Sequence, residues 1–383
     1  MMQNSFSEKV EAKRSEIYAF CDELHAFPEL GFKEQQTAEK LAGILESEGF
    51  TVERNVGGST GVIGTLKGTE PGPVFALRAD MDALPIEESS GHPHSSRNPG
   101  VMHACGHDAH MTIVLFSAIL AARSGIRRGT LKVVFQPAEE LLTGALSILK
   151  SGLISDVDEM VGLHLRPIQE ARLGEASPAL MHGSAYVVRV GIEGKSSHGA
   201  RPHLGINSAD AAAAIVNCIN AIRVDPRVSH SFKTTSIIAG GKASNIIPES
   251  AKMVIDVRAQ NNDTMKEILE KIEKAVVFGA QAVGANGVVE SVQGTPSAEY
   301  NEDLTREVQL AIDEVLGNSL PPIVSPGAED FHFYATEGKI RTAYIGLGAD
   351  LEPGLHSEKM RFNPEALIIG TKILCALLSR KVL

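Results

Sequence analysis

His103-Ala-Cys-Gly-His-Asp-Ala-His110 sets a thiol, three imidazoles and a carboxylate directly ahead of an apolar run over 111–122. Cys105 and His107 stand two apart, so in an extended segment both side chains point to one face. Thiolate and imidazole suit zinc, manganese, cobalt or iron better than magnesium or calcium, and the stretch reads as a metal site. A competing reading makes residues 103–108 the polar cap of the following helix. Asp or Asn suffices for a cap, and a cluster of Cys with His does not arise for that purpose. The run over 111–122 is apolar almost all round, which predicts a buried helix packed on a sheet.

Outward from this stretch, ligand-type residues recur at the ends of apolar strands. The strand predicted over 74–78 runs into Asp80 and Asp82. A strand over 131–135, apolar except for Lys132, delivers Gln136-Pro-Ala-Glu139-Glu140, and an apolar strand over 160–165 carries His164 near its end. Each has an ordinary alternative: a polar turn for the two Asp, a solvated acidic turn for the two Glu, a satisfied core residue for His164. Adjacent carboxylates repel, however, and a shared cation would answer that repulsion. Near the carboxyl end, a strand over 342–347 opens into a loop carrying His356. Cys105, His107, Glu139, Glu140, His164 and His356 thus all fall at or beyond strand ends, where open α/β sheets build their sites.

The 383 residues predict two domains, and the hydrophobic fraction of 43% is that of a globular protein. The middle of the chain reads as strand 186–192, helix 208–222, strands 234–239 and 252–258, helix 263–283 and strand 287–292. That β-α-β-β-α-β order is the split unit of a ferredoxin-like sandwich. The expected fold is therefore α/β: a three-layer α-β-α catalytic domain with a mostly parallel sheet over 1–183 and 294–383, and an inserted α+β domain over 184–293. Two amphipathic helices are expected before the first strand, over 6–24 and 35–49, and another over 141–151.

A net charge of −11 argues against a nucleic-acid or anionic-membrane partner and favours a small molecule or short peptide. The amino terminus has no basic segment followed by an apolar one, and the run over 366–378 is too short and interrupted to span a bilayer. The protein reads as cytoplasmic. Four cysteines make no disulfide framework, and Cys21, Cys218 and Cys375 fall in apolar helical patterns.

Six strings carry a resemblance: Arg78-Ala-Asp80-Met-Asp82-Ala-Leu-Pro85, Met102-His-Ala-Cys105-Gly-His107-Asp108, Gln136-Pro-Ala-Glu139-Glu140, Ser197-His198-Gly-Ala-Arg-Pro-His203, Asn245-Ile-Ile-Pro248 and Gly354-Leu-His356-Ser. In this order, and over nearly the whole chain, they resemble the amidohydrolase branch of the aminoacylase and carboxypeptidase metallohydrolases. That branch includes hydrolases of hippurate, of N-acyl amino acids and of auxin conjugates to amino acids. The resemblance implies Cys105, His107, Glu140, His164 and His356 as ligands of two divalent ions, zinc or manganese with cobalt also accepted. It implies Glu139 as the general base and Asp82 as the residue that orients a ligand or balances charge.

By the same resemblance the inserted domain is a lid and a dimerisation surface. His198 and Asn245, from the same or a partner subunit, face the scissile carbonyl, and Arg258 grips a substrate carboxylate. Gly199, Asn207 and His94 depart from the residues usual at their positions, and they bear on the acyl pocket and lid, not on a ligand. The activity so implied is cleavage of N-acyl amino acids. The alternatives are a dipeptidase or carboxypeptidase on the same scaffold, which needs a handle for a free amino terminus, and a metal-binding sensor without turnover.

Overall fold

The computed structural model of the protein describes residues 3–383, so the reading of the amino terminus falls partly on Met1 and Met2, outside them. The chain divides into two compact units. One comprises the residues up to Met181, Glu299–Ser325 and Glu329–Leu383; the other comprises His182–Ala298 and Pro326–Ala328.

The first unit is built on a seven-stranded sheet in the order Thr51–Val56, Gly61–Lys67, Arg128–Gln136, Glu70–Asp80, Glu159–Pro167, Arg341–Leu351, Ala176–Ser177. The four central strands are mutually parallel, and Gly61–Lys67 and Ala176–Ser177 flank them antiparallel. Their middles are mostly apolar and buried because both faces are covered. Helix His107–Ser124 is buried along nearly its whole length, and helix Glu365–Lys381 packs beside it. Leu77, Leu131, Val133, Val161, Leu163, Ile345 and Leu347 join both helices in the largest apolar cluster.

Several boundaries differ from the sequence reading. The first amphipathic segment is two helices, Gln3–Ala12 and Arg14–Ala26. Strand Thr51–Val56 was not expected: it is an edge strand whose residues are mostly exposed or half-buried, so it lacks an apolar signature. The helix after Glu140 spans Gly144–Lys150 only, because Leu142 takes a positive φ of 56° and breaks the pattern. The buried helix begins at His107, so the cap position and the ligand cluster are one place.

In the second unit the strands Ser184–Glu193, His230–Ala239, Ser250–Ala259 and Asn286–Thr295 form one antiparallel sheet. The spatial order is the second, third, first and fourth of them. Helices Ser208–Asn220 and Asn262–Gln281 pack on it through Ile215, Ile219, Ile268 and Ile272, against Val188, Val190, Met253 and Ile255. This is the ferredoxin-like split unit the sequence predicted. Among the described residues no helix is long and apolar enough to cross a membrane.

Candidate metal centre

The ligand candidates read from the sequence gather at the carboxyl edge of the four parallel strands. Arg128–Gln136 ends just before Glu139 and Glu140, Glu70–Asp80 just before Asp82, and Arg341–Leu351 five residues before His356; His164 lies within Glu159–Pro167. The loop carrying Cys105 meets the loop carrying His356 through a backbone bond, in which His356 N–H donates to the Ala104 carbonyl at 2.7 Å.

Two groups of potential ligand atoms share one sulfur. Cys105, His107 and His164 present atoms all within 4.8 Å of one another, and so do Cys105, Glu140 and His356. A third group, His107 with Glu139 and Glu140, joins the two by the same measure. Cys105 Sγ lies 3.4 Å from His164 Nε2, and His356 Nε2 lies 3.3 Å from Glu140 Oε1. A thiolate between two ligand groups is what a pair of cations needs in order to share a ligand.

The imidazole tautomers agree. His164 Nδ1 bonds the Leu165 carbonyl at 2.6 Å and His107 Nδ1 bonds the Asp82 carbonyl at 2.8 Å. A carbonyl oxygen only accepts, so each Nδ1 carries a proton, and Nε2 is the nitrogen left to face the site. His107 Nε2 is buried without a hydrogen-bond partner, and Glu140 Oε1, also buried, has no hydrogen-bond partner beyond its ion pair with His356. Polar atoms left so cost free energy unless something else satisfies them, and a cation would. With sulfur, imidazole nitrogen and carboxylate oxygen as donors, the set fits zinc, manganese or cobalt. His103 also buries both ring nitrogens unpartnered, but it belongs to no ligand group.

Asp82 fixes the Glu pair through the backbone: its Oδ1 accepts from Glu139 N–H and its Oδ2 from Glu140 N–H, each at 3.0 Å. With its carbonyl on His107, Asp82 holds three of the site residues at once. The turn itself needs a glycine beside it, since a Cβ at Gly144 would stand 1.6 Å from the Pro137 carbonyl oxygen. Ala138 takes a φ of 51°, and its N–H donates to Glu34 Oε1 at 2.9 Å.

The electrostatics describe a centre short of positive charge. Burial pushes the Glu139 carboxyl well above its ordinary value, and Glu329 and Glu140 push the same way. Burial also raises the Cys105 thiol, with Glu140 adding to it. For His107, burial lowers the pKa, and Asp80 and Cys105 more than reverse it. Burial holds the His164 ring neutral. His356 is pushed up to about 10 by its bonds to Cys105 and Glu140.

The residues expected to bind substrate lie in the second unit. His198 and Asn245 come together there: His198 pairs with Ile246 across a short two-stranded ladder, and Gly199 N–H donates to the Asn245 carbonyl at 2.7 Å. His198 is exposed, and its Nδ1 accepts from Ala200 N–H at 3.1 Å, which leaves Nε2–H as an outward donor. Arg258 is near the other end of strand Ser250–Ala259, paired with Asp256 at 3.1 Å and not gathered with the other two.

The profile of peptidase family M20/M25/M40 matches residues 76–380. The chain belongs to this family. Among curated relatives, N-acetylcysteine deacetylase of Bacillus subtilis is 30% identical over 354 residues, covering 91% of this chain and 92% of that one. Thermostable carboxypeptidase 1 of Saccharolobus solfataricus is also 30% identical, covering 91% and 90%. Among solved structures, the YXEP protein of Bacillus subtilis, described as a dinuclear metal-binding peptidase of family M20, superposes with a TM-score of 0.79 at 27% identity, covering 97% of this chain and all of that one. The protein is accordingly an M20 amidohydrolase.

Sequence reasoning on this M20 chain left out a layer behind the ligands. Asp80 accepts from His110 Nδ1 at 2.7 Å, and His110 Nε2 in turn accepts from Leu165 N–H at 3.0 Å, one residue from His164. Arg78, wholly buried, pairs with Asp80, Glu329 and Asp330. A signal for it was available: Arg78 and Asp80 lie two apart at the end of an apolar strand, hence on one buried face.

Proposed function

We propose that the protein hydrolyses the amide bond of N-acyl amino acids, releasing a carboxylic acid and an amino acid. The observation that carries this reading is the pair of ligand groups sharing Cys105, with Glu139 beside them and anchored by Asp82. A sensor or a purely structural metal has no use for a buried spare carboxylate next to its ligands.

Cys105, His107, Glu140, His164 and His356 would hold two divalent ions, zinc or manganese. When bound, such ions supply Lewis acidity, lowering the pKa of water and polarising a carbonyl. Glu139 is the general base: it takes a proton at its carboxylate and returns it to the leaving amine. Asp82 keeps the Glu139 backbone fixed so that the carboxylate meets the water in one orientation. Burial raises the Glu139 carboxyl, so the proton it takes can stay on it until the leaving amine accepts it.

In this reading the second unit is the lid. His198 donates through Nε2–H to the developing oxyanion, Asn245 assists it, and Arg258 leaves Asp256 to bind the substrate carboxylate. His198 and Asn245 serve the site of their own subunit or that of a partner. The unit also forms a homodimer surface, an idea supported by the edge strand His230–Ala239 with exposed Ile237 and Ile238. The working place is the cytoplasm.

The carboxypeptidase among the relatives favours a second reading, removal of a carboxyl-terminal residue from a short peptide. Arg258 suits both, since both substrates carry a carboxylate. The deciding experiment strips the protein with chelator, restores zinc or manganese, and follows amino-acid release from acetyl, benzoyl and indole-acetyl amino acids and from dipeptides. Metal-restored release from the acylated set alone supports the first reading. Release from dipeptides alone replaces it with the second. Replacing Glu139 with Gln should leave metal content intact and cost about 10² to 10⁴ in rate.

A further inference from the structure

Behind Glu139 lies a second concentration of charge. Glu139, Glu329 and Asp330, all buried, bring carboxylate oxygens within 4.8 Å of one another, close enough to enclose a cation of their own. Three carboxylates in a dry interior demand positive charge, and all-oxygen sets accept hard divalent ions readily. What meets that demand here is a guanidinium.

Arg78 is wholly buried and uses every N–H it has. Its Nε donates to Gln136 Oε1 at 2.9 Å. Nη1 donates to Asp80 Oδ2 at 2.6 Å and to the Tyr344 hydroxyl at 3.3 Å, and Nη2 donates to Glu329 Oε1 and Asp330 Oδ1, each at 3.1 Å. Five donors meet five acceptors, a match only the planar guanidinium fork makes. The remaining oxygens of the two carboxylates are also taken. Glu329 Oε2 accepts from Tyr344 at 2.8 Å, and Asp330 Oδ2 accepts from Ala145 N–H at 2.9 Å. Of the three carboxylates, Glu139 is the one Arg78 does not touch.

We infer that Arg78 is a positioning residue that works as a fixed cation: by occupying Glu329 and Asp330 it keeps this carboxylate group from binding a further metal ion and leaves Glu139 free to act as a base. An arginine does this better than a bound ion would. It cannot lose its proton, it cannot exchange, and it takes its two carboxylates without recruiting the third. The role rests on the reading of Glu139 as general base, although the occupancy of the carboxylates does not.

The test uses the full chain, stripped with chelator, reloaded with excess manganese and desalted, with metal per chain measured by mass spectrometry and folding checked by circular dichroism. Arg78→Met should bind one equivalent more than the wild type, and its hydrolysis rate should fall about tenfold or more as that equivalent fills. Arg78→Met combined with Glu329→Gln and Asp330→Asn should return to the wild-type stoichiometry, and Arg78→Lys, which keeps a cation, should stay there. A folded Arg78→Met with wild-type stoichiometry overturns the inference, whether or not its rate falls, because a merely structural arginine predicts that result. Should Arg78→Met not fold, the double variant Arg78→Met, Asp330→Asn removes one uncompensated charge and leaves Glu139 with Glu329. Gain of the equivalent there supports the inference, and its absence overturns it. If the wild type releases no amino acid from any substrate, the functional reading fails, and the stoichiometry still decides whether Arg78 keeps these carboxylates from binding a further ion.

Discussion

Cys105 Sγ and His164 Nε2 face each other at 3.4 Å, and the proton of His164 is committed elsewhere, to the Leu165 carbonyl. The sulfur belongs to both of the ligand groups that contain a thiol, one with His107 and His164 and the other with Glu140 and His356. Cys105→Ser replaces a soft sulfur donor with a hard hydroxyl that holds its proton far more tightly than a thiol does. Affinity for both ions should fall by more than the 10 to about 100-fold typical of residues that only support a ligand. Titration calorimetry against zinc and manganese checks this, and loss of one ion with full retention of the other would show that the sulfur is not shared.

Asp82 acts through the backbone, and its two oxygens do separate work. Asp82→Asn keeps one acceptor and turns the other into a donor, which must then face the N–H of Glu139 or Glu140. The carboxylate pair loses its fixed orientation. We expect metal affinity and kcat each to fall about 10 to 100-fold with KM little changed. A drop confined to KM would mean that the turn holds without Asp82 and that the residue meets substrate instead.

What could be read from the sequence depended on whether a residue's meaning was local. Cys105, His107, Glu139, Glu140, His164 and His356 announced themselves because soft or charged atoms at strand ends are costly without a purpose. The α/β sheet and the inserted sandwich followed from apolar periodicity. Arg78 was legible only through its spacing from Asp80: its partners Glu329 and Asp330 stand about 250 residues away, and only the neighbouring strands Glu70–Asp80 and Arg128–Gln136, with Tyr344 from a third, bring them together. The short helix after Glu140 was overextended for a related reason. Its apolar pattern continues back to Leu141, but the turn held by Asp82 fixes the backbone first.

Removing the metal should cost stability as well as activity. The unpartnered, buried His107 Nε2 gains nothing from folding unless a cation joins it, and an ion that binds the folded chain alone stabilises it by about 2.7 kcal/mol at a free concentration one hundred times Kd. Melting temperature should therefore rise with added zinc or manganese and fall with chelator. Glu139→Gln should show the same rise, since the proposed base is not needed to hold the ions. Indifference of the wild-type melt to chelator would remove the case for a cation at these atoms.

The His25, Asp108 and Glu88 chain beside the centre makes a separate claim about pH. His25 Nδ1 meets Asp108 Oδ2 at 2.7 Å and His25 Nε2 meets Glu88 Oε1 at 3.2 Å. Burial alone would lower His25, but the bonds to Asp108 and Glu88 prevail and raise it to about 10. Burial alone would raise Glu88, but the bonds from His25, Ser90 and the Ser96 N–H lower it to about 2. A raised His pKa stabilises the fold fully below the unfolded value of 6.5, and that stability is lost as pH climbs from there towards 10. A depressed Glu pKa stabilises it above the unfolded value of 4.5, and that stability is lost as pH falls from there towards 2. Both contributions are whole only between those two unfolded values. In chelator-treated protein, where ligand titration through bound metal is absent, His25→Gln should flatten the alkaline fall in melting temperature and Glu88→Gln the acid one. An alkaline limb of equal slope in wild type and His25→Gln would mean that the His25 ring is neutral in the folded chain.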